Sequence, residues 1–411
     1  MTVTAGLRQT LRRDAPAGHP SLRTTAAQLP TLLVLSWGAL FFNVLTPGSG
    51  MILPLPHAMT QAMAQGSLLV ALVLALLVNP RLVIRPNTFL VLVSAMAVMA
   101  LIVSMYSPFP VSSTYRAVRL IGFVACLWLL SPWWGRADLA LLRVHRICLW
   151  AALGSVLLGA ALAPGKAFAA GGRLSGVIWA MPPPQVAHYA ALILGTSAIL
   201  WMCRVIGGRH ALLGIVVGVA VLIGTHTRTA LIGTIAGLAI ACASLFLGHA
   251  RVRRATLWTI VFGALAGALF APQIVTWAAR GQTAEEASQF TGRTKVWEAS
   301  LAEDRPTVTK MFGSGLSNKS FDGLPVDSNW IATYLDLGWA GIVVQVTFIL
   351  LLLVMAITHV RGVRRAVALF LIVYGIVASV TETGTGDAST YLLDLTVAAA
   401  LLVPEPGRRL R

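Results

Sequence analysis

The feature that most constrains this chain is a succession of apolar runs, most of them close to 20 residues long. A helical run of that length matches the roughly 30 Å hydrocarbon core of a bilayer, because a helix rises about 1.5 Å per residue. Transmembrane β-strands alternate over only about 10 residues, so the pattern argues against a barrel. Charged residues make up 11% of the chain, against about 25% in soluble domains. The sequence therefore predicts an all-α polytopic membrane protein.

The apolar runs predict about twelve transmembrane helices, or eleven, because the seventh and twelfth runs are short. Residues 29–404 are interpreted as the transmembrane domain, between a disordered cytoplasmic tail at 1–28 and a second cytoplasmic tail at 405–411. A large polar loop at 272–329 separates the ninth and tenth runs and is expected to carry short helices. The predicted spans are 29–46, 58–79, 87–105, 114–131, 145–163, 186–204, 211–225, 228–248, 256–275, 329–358, 365–381 and 390–404.

Basic residues indicate the orientation of these spans. Most of the 31 lysines and arginines lie in the two tails and in every second connection, and each of those segments holds at least two arginines. Because lysine and arginine accumulate in cytoplasmic loops, both termini are predicted to be cytoplasmic and the 272–329 loop to lie outside. The same bias accounts for the net charge of +17 without nucleic-acid binding.

The 272–329 loop contains half of the chain's 14 acidic residues and several basic ones. Thr291 is expected to cap a helix that runs to about Asp304, which places Arg293 and Trp297 on one face. A helix start that presents free N–H groups beside an arginine is a good anion site. The alternative is an amphipathic helix lying on the membrane surface with Trp297 in the interface.

Several other basic residues lie on the predicted outer side and need a reason for being there. Arg228 is the sharpest case, because it lies in a tight connection, 225–230, between two apolar helices. A charge at the membrane rim is costly and therefore points to function. The alternative is an arginine that only anchors the topology. Arg116, Arg119 and Arg173 raise the same question.

Carboxylates and histidines near the predicted outer rim supply candidates for proton transfer. Asp327 stands where the chain re-enters the membrane, as a helix N-cap or as a general base. Glu382, Asp387 and Asp394 surround the last outer loop, which is expected to be either a binding loop or a solvated turn. The histidines expected at this rim are His188 and His226. No metal site is predicted, because ligand-type side chains do not occur at metal-binding spacing.

Two pairs of glycines have the spacing that lets membrane helices approach closely. They are Gly233 with Gly237, and Gly263 with Gly267. We interpret both pairs as packing contacts without a role in chemistry.

Three separated segments carry a resemblance to a known family. They are Gly172–Gly176 with Pro184–Ala187 after it, Thr227–Ala230, and Gly292-Arg293 with Trp297 followed by Gly313-Ser314-Gly315. In this order they resemble the O-antigen ligase and O-antigen polymerase superfamily of bacterial envelope glycosyltransferases, and the match extends to Gly338 and Gly341. It covers roughly residues 170 to 345. One difference is clear: the family usually has a His-Asn pair eleven residues before the first of those two glycines, and here Asp327-Ser328 stands there.

The resemblance implies a GT-C-like fold in the bacterial inner membrane, with the active site facing outside. It also implies an undecaprenyl-pyrophosphate-linked glycan as donor, a glycan or lipid hydroxyl as acceptor, and no cofactor or metal. The implied catalytic residues are Asp327 in place of the histidine, Arg228 and Arg293. The residues implied to bind substrate are Arg173, Arg116, Arg119, His226 and Trp297.

Three activities remain open from the sequence. A ligase would move a finished glycan to a different acceptor, whereas a polymerase would join lipid-linked repeat units. A transporter of an anionic envelope precursor belongs to another class, because twelve spans with cytoplasmic termini is also a transporter plan. Transporters commonly show internal repeats, and this chain shows no convincing halves.

Overall fold

The structure is a computed structural model, and it describes residues 29–45, 50–279, 293–316, 320–321 and 324–405. The predictions for the tails at 1–28 and beyond 405, for Thr291 and for Gly292 lie outside these residues. Within the described residues the regular secondary structure is helical, apart from one antiparallel pair of two-residue strands, β1 Ser320–Phe321 and β2 Leu324–Pro325, and two isolated β-bridges.

The described residues form helices of very different lengths. They are α1 Thr31–Asn43, α2 His57–Val78, α3 Thr88–Met105, α4 Pro110–Leu129, α5 Ala140–Leu162, α6 Pro164–Ala167, α7 Pro183–Met202, α8 Gly208–Thr225, α9 Arg228–Phe246, α10 Ala250–Leu269, α11 Ala271–Ala279, α12 Arg293–Ala302, α13 Thr307–Phe312, α14 Asn329–Thr358, α15 Val363–Ala378 and α16 Thr390–Leu402. A short 3-10 turn at Ser131–Trp133 follows α4.

Each predicted apolar run coincides with one of the longer helices. Eight helices of the described chain are long and apolar enough to cross a membrane, and α1 and α16 are shorter apolar helices. The prediction of an all-α protein with several membrane-spanning helices is therefore confirmed, whereas the count of twelve stays a prediction.

Helix ends differ from the apolar runs where polar residues continue a helix. The ninth run was expected to begin near residue 256, but α10 begins at Ala250 and includes Arg251, Arg253 and Arg254. Long arginine side chains can keep their charges in water while their stems lie along a helix. The apolar run alone therefore places the start of this helix too late in the sequence.

The two glycine pairs behave differently. A Cβ atom at Gly237 would lie 2.8 Å from Cδ2 of Phe370, and one at Gly233 would lie 3.0 Å from Cδ2 of Tyr374. The first pair therefore lets α9 and α15 approach closely, as expected. Among the described residues, no atom comes within 4 Å of a Cβ built at Gly263 or Gly267. The packing predicted for that pair is thus not seen among the described residues, where α10 exposes most of its apolar side chains.

A kink in α14 fixes the polar loop to the helix bundle. Gly338 has φ +62° inside the helix, a conformation that side chains other than glycine rarely adopt. The backbone N–H groups of Ser314 and Gly315 donate to the carbonyls of Leu335 and Asp336, at 3.0 and 2.9 Å. A Cβ atom at Gly313 would overlap the Asp336 carbonyl. The glycines at 313 and 338 are thus required where the two backbones meet.

Candidate functional site

Two connections at one end of the bundle are joined through Arg173. Its Nε donates to the Thr225 carbonyl at 3.0 Å and its Nη2 to Oγ1 of Thr227 at 3.3 Å. The neighbouring Leu174 N–H donates to the Gly224 carbonyl at 2.8 Å. These bonds hold the segment before α7 against the α8–α9 connection. The structure therefore brings Arg173 beside the connection that carries Arg228, as the sequence predicts.

Arg228 is the first residue of α9 and is half-buried. Its two neighbours both contact other parts of this end of the bundle. Thr227 accepts from Arg173, and Oγ1 of Thr229 accepts from Oγ1 of Thr381 at 2.8 Å. The α15–α16 connection thus reaches the same place as the α8–α9 connection.

Arg293 and Asp327 form an ion pair between the first residue of α12 and the segment before α14. Nη2 of Arg293 lies 3.2 Å from Oδ2 of Asp327, and the two side chains are 26% and 39% exposed. The helix α14 begins at Asn329, and its N-cap residue is Ser328. The interpretation of Asp327 as a helix N-cap is therefore wrong, because the carboxylate points to Arg293.

Glu382 completes the set of charges. Burial raises the pKa of the Glu382 carboxyl to about 7; the charges of Arg293 and Arg173 oppose that rise, and Asp327 adds to it. Burial also lowers the pKa of Arg173, with Glu382 opposing the change and Arg293 reinforcing it. Arg173, Arg293 and Asp327 thus all lie within electrostatic reach of Glu382. We call these four side chains, together with Arg228 on the adjoining α8–α9 connection, the charge cluster.

The loop that carries Glu382 is held from two sides. Oδ1 of Asn329 accepts from the N–H groups of Gly384 and Thr385, at 3.2 and 2.9 Å. Nε2 of Gln345 donates to Oγ1 of Thr385 at 2.7 Å, and Oγ1 of Thr333 donates to Oε1 of Gln345 at 2.8 Å. The solvated-turn interpretation is therefore wrong for this loop.

Two predicted substrate-binding residues lie on helices that adjoin the cluster. Trp297 follows Arg293 by one turn of α12 and is half-buried, so the predicted helix and its shared face are confirmed. His226 ends α8 in a left-handed conformation, and its ring stacks on Trp277 of α11 at 5.5 Å between centroids. Trp277 also donates through Nε1 to the Ile223 carbonyl at 3.2 Å. An aromatic surface therefore lies next to the arginines.

The two arginines of α4 are placed differently. Nε and Nη2 of Arg119 donate to Oδ1 and to the carbonyl of Asn43, at 3.2 and 2.7 Å. Asn43 is the last residue of α1, so Arg119 holds the end of that helix. Arg116 lies one turn earlier on α4 and is half-buried. The structure thus ties Arg119 to α1 rather than to the charge cluster.

A second polar cluster is buried inside the bundle. Oδ1 of Asp394 lies 2.9 Å from Nε2 of His145, and Oδ2 lies 2.8 Å from Nε2 of His188. Nε1 of Trp37 donates to Nδ1 of His145 at 3.2 Å, and the Tyr374 hydroxyl lies 3.2 Å from Nδ1 of His188. We call Asp394, His145 and His188 the histidine–aspartate cluster.

Asp394 and His188 are buried side chains, 3% and 1% exposed. Their place near the outer rim stays a prediction. Asp394 is the fifth residue of the apolar helix α16. An acidic residue inside an apolar run needs a buried partner, so its position in the run was the available signal.

No three or more of the described His, Cys, Asp and Glu side chains are grouped so that they could hold a metal ion. Glu382 was the main residue that sequence reasoning undervalued. It is flanked by threonines and glycine in a short connection, and that local composition is typical of a turn. Only the hydrogen bonds of its loop to Thr229 of α9 and to Asn329 of α14 identify Glu382 as part of the site.

The comparisons with known proteins add no family. A scan against protein-family models gives no match, and a search of curated proteins gives none either. The likeness to O-antigen ligases and polymerases therefore rests on the short segments quoted above.

Proposed function

We propose that this chain is a GT-C-like glycosyltransferase of the bacterial inner membrane, with both termini cytoplasmic and the charge cluster outside. It moves a glycan from undecaprenyl pyrophosphate to an acceptor hydroxyl. The observation that carries the proposal is the meeting of arginines and carboxylates from four separate connections at one end of an apolar bundle. The proposal joins that geometry to the resemblance stated from the sequence.

The arginines suit the leaving group. A guanidinium group binds phosphate through paired hydrogen bonds and keeps its charge over the physiological pH range. Arg173, Arg228 and Arg293 supply three such groups against two carboxylates, so the cluster favours an anion. Fixed positive charges stabilise the pyrophosphate as it departs, and this is the effect that oxyanion-type sites use.

The carboxylates suit the acceptor. The acceptor oxygen forms a bond to the anomeric carbon while the bond from that carbon to the pyrophosphate oxygen breaks. The electron pair of the broken bond stays on the pyrophosphate, and the proton of the acceptor passes to a carboxylate. Asp327 and Glu382 are the carboxylates of the cluster.

A polymerase would use the same chemistry with a second lipid-linked glycan as acceptor. A transporter of an anionic precursor is favoured by a different observation, the histidine–aspartate cluster. Ionisable residues inside a membrane bundle often mark ion or proton paths. Asp394 is therefore the residue on which the transporter alternative depends.

The test is product formation by the purified protein in lipid vesicles, supplied with undecaprenyl-pyrophosphate glycan and candidate acceptors. We expect a single acceptor-dependent shift in product size for a ligase. A ladder of products would mean a polymerase. Accumulation of the intact lipid-linked or free anionic precursor inside the vesicles, with no new glycosidic bond, would contradict the proposed enzyme.

A further inference from the structure

Two carboxylates are available to take the acceptor proton, and they differ in their surroundings. Oδ2 of Asp327 is 3.2 Å from Nη2 of Arg293. The Glu382 side chain, in contrast, makes no ion pair or hydrogen bond to any residue in the described ranges, although Arg173, Arg293 and Asp327 all act on it electrostatically. A carboxylate that is already bound to a guanidinium is a weaker proton acceptor than one whose oxygens are open.

The backbone around Glu382 is fixed by hydrogen bonds of its own and of its neighbours. Its own N–H donates to the Ala378 carbonyl at 2.9 Å, one helical turn earlier. Thr381 donates a hydrogen bond to Thr229 at the start of α9, and the Gly384 N–H donates one to Asn329 at the start of α14. Such anchoring on both sides holds a reacting group in position without using its polar atoms.

We propose that Glu382 is the general base of the transfer reaction, and that Asp327 positions Arg293. This inference rests on the proposed glycosyl transfer. An oxygen of Glu382 takes the proton of the acceptor hydroxyl as that hydroxyl oxygen bonds to the anomeric carbon. The pyrophosphate leaves with the electron pair of the broken bond and is met by the arginines. Protonated Glu382 then returns its proton to water.

The groups facing Glu382 come from every element packed around it. Three charged groups act on Glu382: Arg173 before α7, Arg293 at the start of α12, and Asp327 before α14. The hydroxyl groups of Tyr374 on α15 and Tyr391 on α16 also interact electrostatically with the Glu382 carboxylate. Thr381 also brings it next to the first turn of α9, where Arg228 lies.

A general base works best when its pKa lies near the working pH. Burial raises the pKa of Glu382 to about 7, so the carboxylate form is the minor form below that pH and the major form above it. The value of kcat/KM for product formation must therefore rise with pH and level off above neutrality.

The experiment measures kcat/KM for product formation between about pH 5.5 and pH 8.5 for wild type, Glu382→Gln and Asp327→Asn. The matched control is Glu298→Gln, which removes an exposed carboxylate on α12. We expect wild type and Glu298→Gln to rise about tenfold per pH unit below the inflection near neutrality. In Glu382→Gln, kcat/KM should fall by about 100-fold or more, and the inflection in its pH dependence should disappear. Asp327→Asn should keep the inflection.

A second variant guards against misfolding. Glu382→Ala should regain part of its activity with added formate, a small carboxylate that can occupy the vacated space, whereas a misfolded protein would not respond. Donor binding by Glu382→Gln, measured with labelled undecaprenyl-pyrophosphate glycan, should stay within about threefold of wild type.

The outcomes separate the two levels of the proposal. If wild type makes product and Glu382→Gln keeps both the rate and the inflection, Glu382 is not the base while the glycosyltransferase stands. Loss of the inflection in Asp327→Asn alone would give the role to Asp327. If wild type forms no glycosidic bond with any donor and acceptor, the glycosyltransferase and the base are both wrong.

Discussion

Arg293 and Asp327 are joined by an ion pair of 3.2 Å between Nη2 and Oδ2. They belong to the two ends of the polar segment that α12, α13 and the short strand pair occupy. The pair therefore sets the position of the arginine that is proposed to meet the pyrophosphate.

Asp327→Asn removes one charge of this pair. Both side chains are partly exposed, so the free energy of unfolding should fall by no more than about 1 kcal/mol. Donor KM should rise because Arg293 loses the group that orients it. Thermal unfolding in detergent and steady-state kinetics measure the two effects. A large loss of stability with unchanged KM would mean that Asp327 holds the fold rather than Arg293.

Asn329→Ala tests the anchor of the Glu382 loop. The change leaves the N–H groups of Gly384 and Thr385 without their acceptor, and each unpaired buried donor costs about 1–3 kcal/mol. Asn329→Asp keeps an oxygen at the same place and should destabilise the protein less. Thermal unfolding of the two variants measures the difference. Equal unfolding temperatures for wild type and Asn329→Ala would contradict the anchor.

Gly338→Ala tests the kink of α14. A Cβ atom there would overlap the backbone of Met311 and Phe312, and φ is +62°. We expect destabilisation by several kcal/mol, because both strain and overlap oppose the change, each at about 1–3 kcal/mol. Gly263→Ala is the matched control in open surroundings and should be neutral or slightly stabilising. Similar unfolding temperatures for both variants would show that the kink does not need glycine.

Asp394→Ala tests whether the histidine–aspartate cluster is structural. Removing one partner of a buried charged network typically costs about 3–5 kcal/mol. Because Asp394 is not part of the charge cluster, product formation per folded molecule should stay within about threefold of wild type. Thermal unfolding and an assay normalised to folded protein give both values. Loss of turnover without loss of stability would show that Asp394 takes part in the activity itself. That result would favour the transporter alternative.

The sequence predicted the helices well because apolar length is a local property. All twelve apolar runs fall on helices, and the meeting of Arg173 with the Arg228 connection also followed from the segments quoted for the resemblance. The contacts of Glu382 and Asp394 did not follow from the sequence, because their surroundings are not local. The loop of Glu382 becomes half-buried through Asn329 and Thr229, and Asp394 is buried by histidines from α5 and α7.

The helix start at Arg293 was predictable, but the role of Asp327 was not. An acidic residue just before an apolar helix is a common N-cap. The pairing with Arg293 depends on how the polar segment folds back between α10 and α14, and no periodicity in the sequence specifies that path.

The most direct test of the central claim is the rate of glycoside formation by Arg228→Ala and Arg293→Ala in lipid vesicles. The control is Lys295→Ala, which removes an exposed positive charge on the same helix as Arg293. Loss of a charged group that stabilises the leaving pyrophosphate should lower kcat by about 100-fold or more in both arginine variants, while the control stays close to wild type. Full activity in Arg228→Ala and Arg293→Ala would contradict the proposed site.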